Sequence, residues 1–206
     1  MYFDIGANIG CWAIENVHTA DKIITVEASS ITFNKLCANV RNNSKIIPLN
    51  FAVCNNDGND IVFYHADYDD VLSTLNKEWL TSPNSRFFGK PYREIRCKTI
   101  TIDKLIETYG IPELIKIDVE GGEYSCISSL SQKVNHLCFE WASEVNDITF
   151  KCIDHLSTLG FANFYLQMQD NYTFRPNPEQ YFDANTLKNK LLATTPKVDW
   201  GMIWCK

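Results

Sequence analysis

Nothing in this sequence is long and apolar enough for a bilayer. Uninterrupted apolar runs such as Ile61 to Tyr64 stop at four residues, against ~20 for a spanning helix and ~7 for a signal-peptide core. The expectation is a soluble, cytoplasmic protein. Basic runs are missing too. With 19 Lys and Arg against 25 Asp and Glu, the net charge is -6. Groove-tracking nucleic-acid binding, which draws its affinity from cations on phosphates, is therefore disfavoured. No Cys-x-x-Cys pair occurs, which argues against a structural zinc site. The eight cysteines stand singly at 11, 37, 54, 97, 126, 138, 152 and 205 and read as reduced core thiols rather than a disulfide framework. Internal repeats, low-complexity tracts and an interdomain linker are also lacking, so the 206 residues read as one domain, 1–206. A chain of this length can bury about 70% of its unfolded surface. It starts almost at its first strand, as a domain excised from a longer polypeptide would.

What is present alternates between short β-branched runs and helical spacing. Strands are expected at 2–5, 22–27, 45–53, 94–100, 114–118, 136–140, 161–168 and 200–205, with an extra strand at 60–66 after the Asn55-Asn56-Asp57-Gly58 turn. Helices are expected at 11–18, after a Ser30 cap through Val40, and at 101–110, 123–130, 148–159 and 185–193. Residues 67–94 carry three Asp near their start, two Pro and no period, and read as a lid loop. Strands alternating with helices imply βαβ units and a parallel sheet, hence an open, doubly wound α/β domain. Ligands bind such sheets at the carboxyl ends of the strands. Asp4, Glu27, Asp118 and Glu140 all fall at expected strand ends.

Asp4-Ile5-Gly6-Ala7-Asn8-Ile9-Gly10 places a glycine turn between strand and helix, where a ligand can approach backbone amides. Its spacing is Gly-x-Asn-x-Gly, not the Gly-x-Gly-x-x-Gly of dinucleotide binders, and Asp4 would repel a pyrophosphate. A cationic ligand end suits it better. S-adenosyl-L-methionine has a sulfonium and an ammonium but no phosphate. Glu27, 21 residues after Gly6, can accept hydrogen bonds from ribose hydroxyls, a role that NAD would also require. Ile115 to Glu123 carries acids at and after the fourth core strand, where an acceptor hydroxyl could lose its proton. Glu120 and Glu123 also suit a helix N-terminus, and for Glu123 that plainer role is preferred.

Taken in order, Asp4 to Gly10, Val26-Glu27-Ala28, Thr101-Ile102-Asp103-Lys104-Leu105 and Ile115 to Glu123 resemble the FkbM-type S-adenosylmethionine-dependent methyltransferases over roughly residues 2 to 166. The resemblance implies the class I methyltransferase fold: a Rossmann-like, seven-stranded sheet with an antiparallel last strand, here Trp200 to Cys205. It also implies O-methylation, often of a sugar hydroxyl in a glycan or glycosylated metabolite, and a fused or associated glycosyltransferase. The chain departs from the family at Glu27-Ala28-Ser29, where Glu-Pro is common, and at Val71 to Leu75, which lacks a preceding glycine. Residues 167–199 match nothing in the family, leaving them and the lid to select the acceptor.

On this reading Asp4, Gly6, Ala7, Asn8, Gly10 and Asp118 hold the methionine end of the cofactor. Glu27 takes the ribose, and Ala28, Ser29, Asn50 and Phe51 border the adenine. Asp118 and Glu120 are the candidate proton acceptors, with His65, entering the lid, as the alternative base. Of the other histidines, His136 and His18 lie away from the site and His155 is on a helix face. Glu140 could join Asp118 in a divalent-metal site, although metal-free chemistry is preferred because no third ligand is evident. Arg86 to Arg93 could stack on sugars and bind an acceptor phosphate, or simply pack. Of the five Trp residues, Trp79 is the one that could serve the site. Two readings remain beside the enzyme: a binding module that holds the cofactor without transferring methyl, and an NAD-dependent oxidoreductase.

Overall fold

The computed structural model describes residues 1–68 and 70–206; Asp69, one of the three acids that open the 67–94 segment, lies outside the described residues. Seven strands form the main sheet: β1 (Tyr2–Ile5), β2 (Ile23–Val26), β3 (Ile46–Leu49), β7 (Leu114–Ile117), β8 (His136–Ala142), β9 (Phe164–Met168) and β10 (Trp200–Cys205). Their spatial order is β3-β2-β1-β7-β8-β10-β9. β10 runs antiparallel to both neighbours while β3, β2, β1, β7 and β8 are mutually parallel. This is the class I methyltransferase sheet. A second sheet of β4 (Ala52–Val53), β5 (Asp60–Ala66) and β6 (Tyr92–Ile100) carries the inserted strand, β5, antiparallel to β6.

Helices α1 (Cys11–Asn16) and α2 (Ser30–Val40) cover one face of the main sheet, and α4 (Ile102–Tyr109), α5 (Glu123–Ile127), α6 (Asn146–Thr158) and α7 (Ala184–Leu192) cover the other. Period-two alternation along the strands feeds both cores. Leu114, Cys138, Met202 and Trp204 pack with α1 and α2, whereas Ile115, Leu137, Phe139, Ile203 and Cys205 pack with α4 to α7. Each large side chain so buried stabilises the fold by ~1.5–3 kcal/mol. The cysteines are free thiols, six of them buried, as expected from their apolar surroundings. Among the described residues no helix is long and apolar enough to cross a membrane.

Several boundaries moved. The single strand expected over 45–53 is two: Pro48 sits in β3, an edge strand that tolerates a missing N–H, and Asn50 bends the chain by donating from Nδ2 to the Glu27 and Ala28 carbonyls. Ser29, not Ser30, caps α2, its hydroxyl accepting the Thr32 N–H at 3.3 Å. The 67–94 segment is not a loose lid. It contains α3 (Lys77–Thr81) and its own small core of Ala66, Leu72, Trp79, Leu80 and Ala142.

The tightest packing joins the two central strands. Gly6, at φ 78°, has no room for a Cβ, which would lie 1.7 Å from the Asp118 carbonyl oxygen. Gly58 has a similar φ of 73° with nothing within 4 Å. Gly6→Ala is expected to lower Tm by more than about 5 °C, and Gly58→Ala, which carries only ~1 kcal/mol of left-handed strain, by about 2–4 °C, in parallel thermal melts.

Candidate functional site

The chain leaves β1 through a turn with Gly6, Asn8 and Gly10 at φ 78°, 49° and 90°, conformations suited to Gly and tolerated by Asn. Every amide of this turn is already used. Gly6 and Ala7 donate to the Val26 carbonyl, Asn8 to Glu27 Oε2 at 3.0 Å, Ile9 to Asn8 Oδ1 at 2.6 Å and Gly10 to the Ala7 carbonyl. The expectation that these amides stand open to a ligand is corrected. The turn fixes Glu27 instead, whose Oε1 accepts from the Ser29 amide at 2.8 Å. Gly10 is a packing glycine: its Cβ would meet Leu36 at 2.6 Å, and it lines neither cavity described next.

Two cavities open at the carboxyl ends of the strands and share Gly6, Asn8, Val71, Asp118 and Glu120. The first, about 510 Å³ of empty space continuous with solvent, lies between Glu27, Ala28, Phe51, Val53 and Phe63. The second, of about 580 Å³, lies between Ala7, Cys11, Trp12, Lys116 and Tyr172. The buried carboxylate of Glu27 shares the wall of the first cavity with the apolar side chains of Ala28, Phe51, Val53 and Phe63. Ser29 and Asn50 are not on its wall; Ser29 is wholly buried as a cap and Asn50 braces the turn from behind. His65 is not brought to the cavities either. It is 2% exposed within β5, its Nδ1 3.1 Å from Ser29 Oγ and 3.3 Å from Ser73 Oγ.

Asp118, Glu120 and Glu140 converge, with one carboxylate oxygen from each within 4.8 Å of the others. The third oxygen ligand that the sequence did not reveal is therefore Glu120. Burial first, and then the Asp118 charge, push Glu120 well above the ordinary carboxylate range, opposed by the hydrogen bond from Trp79 Nε1 at 2.9 Å. Glu140 is raised by burial and by Glu120. Glu123 is a turn brace: its Oε1 accepts from the Val119 and Gly121 amides, and burial raises it to about 7. Glu120 stands at φ 53°, clamped by Thr74 Oγ1 on its carbonyl at 2.6 Å and by Asn76 Nδ2 on that of Gly121 at 3.2 Å.

Sequence reasoning missed Lys116. It is buried, with Nζ 3.0 Å from Asp118 Oδ2 and 3.9 Å from Asp4 Oδ1. Burial alone would lower its pKa, but the Asp118, Asp4 and Asp170 carboxylates outweigh that and raise it. A lysine inside the four-residue buried strand β7 was the available signal. Asp4 is wholly buried behind it, its carboxylate oxygens without hydrogen bonds. The cation facing Asp4 is thus the protein's own. Asp170 and Tyr172, from the segment after β9, also reach this neighbourhood, and nothing in the sequence marked them.

Both arginines of the 86–93 segment are occupied. Arg86 makes two bonds of 2.5 Å to Glu144, Arg93 pairs with Asp67 at 2.7 Å, and Phe87 packs edge-on to Trp79. Packing, rather than phosphate capture, accounts for Arg86 and Phe87.

Burial lifts Asp4 from 3.8 to about 6. Unfolded chains then lose this proton first, so the group's contribution to stability falls as pH rises from about 4 to about 6 and is constant above. Asp4→Asn is expected to remove about 3 kcal/mol of that pH dependence in urea unfolding at pH 4 and pH 7.

No curated protein matches the chain significantly. Among solved structures, a precorrin-6y methyltransferase from Geobacter metallireducens is similar at a TM-score of 0.51 and 9% identity, over all of this chain and 78% of that one. Precorrin 8w decarboxylase from Methanobacterium thermoautotrophicum gives 0.50 at 8% identity, over all of this chain and 80% of the other. Aeropyrum pernix fibrillarin, solved with natively bound S-adenosyl-L-methionine, gives 0.46 at 10%, over all of this chain and 65% of that one. Residues 4–148 match the methyltransferase FkbM domain. With that match over most of its length, on a class I sheet, the chain belongs to the FkbM-domain methyltransferases, whose cofactor is S-adenosyl-L-methionine.

Proposed function

We propose that residues 1–206 act as one S-adenosyl-L-methionine-dependent O-methyltransferase domain that modifies a sugar hydroxyl of a glycan or glycosylated metabolite. The observation that carries the transfer reading is the meeting of the two cavities at Asp118 and Glu120. Ligand and proton acceptor share one place there. The sugar acceptor, and a glycosyltransferase that presents it, rest on the resemblance of the motifs.

When bound, the cofactor supplies an electrophilic methyl group on a sulfonium. Glu27 holds the ribose hydroxyls, and Ala28 and Phe51 border the adenine. Gly6, Ala7 and Asn8 shape the wall toward the methionine end. An acceptor hydroxyl, with a pKa of about 16, must lose its proton as it attacks. Glu120 takes that proton: it lines both cavities, and the Trp79 indole N–H, donating to its Oε2, fixes its carboxyl group. Asp118, bonded to Lys116, would border the sulfonium side of the cofactor. Most of the acceleration then comes from alignment. His65, which lines neither cavity and whose Nδ1 lies between the Ser29 and Ser73 hydroxyls, is not assigned the proton.

The three convergent carboxylates favour one variant reading, in which a divalent cation on Asp118, Glu120 and Glu140 orients the acceptor oxygen. Chelation separates the two. Full activity in excess EDTA supports the metal-free route, and loss restored by a divalent ion supports the other.

Calorimetry is expected to show saturable S-adenosylhomocysteine binding, weakened about 10- to 100-fold by Glu27→Ala, and no heat with NAD. Glu120→Gln is expected to lower kcat at least ~100-fold with unchanged S-adenosylhomocysteine affinity, measured by labelled methyl transfer to a panel of glycans. Binding without transfer to any acceptor would favour the non-catalytic module, and heat with NAD alone would favour an oxidoreductase.

A further inference from the structure

We infer that Lys116 is a cofactor-binding residue whose ammonium receives the carboxylate of the cofactor's amino-acid end, in the cavity between Ala7, Trp12 and Tyr172. The inference rests on the cofactor reading above and adds a residue to it. Three observations carry it.

The first is the amide accounting. The turn from Gly6 to Gly10, where an incoming carboxylate would ordinarily find N–H donors, has spent all five on Val26, Glu27, Asn8 and Ala7. The second is charge. Among the described residues that line either cavity, Lys116 is the only Lys or Arg, so the negative end of a zwitterionic ligand has one full positive charge to meet. The third is preorganisation. The Lys116 side chain is 4% exposed and stands between Asp118 at 3.0 Å and Asp4 at 3.9 Å. Asp4 has no hydrogen bond of its own and approaches no other cation. Asp118, Asp4 and Asp170 together keep Lys116 charged, and Asp118, 25% exposed and on both cavity walls, also borders the space that the ligand's ammonium and sulfonium would enter. A carboxylate on Lys116 and an ammonium near Asp118 would satisfy both ends of the amino acid with charge-assisted bonds. The plainer alternative is that Lys116 only neutralises its two aspartates.

The test compares two ligands by calorimetry: S-adenosylhomocysteine, and its decarboxylated analogue, which keeps the nucleoside, sulfur and amine. The wild-type protein is expected to prefer S-adenosylhomocysteine by about 10- to 100-fold, and Lys116→Met is expected to abolish that preference. Equal affinity of the wild-type protein for both ligands would overturn the inference without use of any variant. So would an undiminished preference in Lys116→Met. Should that variant not fold, because Asp4 and Asp118 lose their counter-ion, the Asp4→Asn/Lys116→Met double variant removes the buried one of these acids and is expected to give the same result. Failure of the wild-type protein to bind S-adenosylhomocysteine at all would overturn the cofactor reading and this inference together. Binding of both ligands with no discrimination would overturn this inference alone.

Discussion

The parallel pairing of β1 with β7 is the constraint on which the site depends. Its register sets Asp4 opposite Lys116 and Ile5 opposite Ile117. The Asp118 amide donates to the Ile5 carbonyl at 3.0 Å, and Gly6 packs against the Asp118 carbonyl with no space for a side chain. A slip of one residue would exchange the faces of either strand, sending Lys116 toward the α4–α7 core and Ile115 toward the cavity. The strands are thus tied by hydrogen bonds, by a buried ion pair and by close packing at the same point. That point is where the two ligand cavities meet.

Charge is concentrated there at a cost the fold must offset. Asp4, Lys116, Glu120 and Glu140 all sit where burial opposes ionisation. Lys116 offsets part of this by facing two aspartates. Glu120 and Glu140 are offset less completely, so protons are shared within the cluster rather than lost from every member. A site arranged in this way can accept a proton, or a cation, at the position where an acceptor hydroxyl would come to lie.

The 67–94 segment contributes more than a cover. Thr74, Asn76 and Trp79 each bond the Glu120–Gly121 turn, whose two residues have φ of 53° and 80°. Trp79 is at once a core residue and the hydrogen-bond donor to the candidate base. The sequence showed an aromatic in an aperiodic stretch and could not show which acid it met, since the partners are 41 residues apart. Arg86 and Glu144 are likewise 58 residues apart. Such pairs leave no local periodicity.

Local chemistry determined the order of strands and helices, the glycine turn after β1, the acids at four strand ends and the free thiols, because each is a pattern within a few residues. The antiparallel last strand and the cofactor followed from the resemblance those motifs carry. Folding decided which groups remained available. It consumed the turn amides, buried Ser29 and His65, set Asn50 behind the turn, made Gly10 a packing residue, and brought Glu120 to Asp118 and Glu140. It also gave Asp4 the protein's own lysine. Availability and convergence depend on the positions of atoms from distant segments, and strand register and close packing, not residue type, fix those positions.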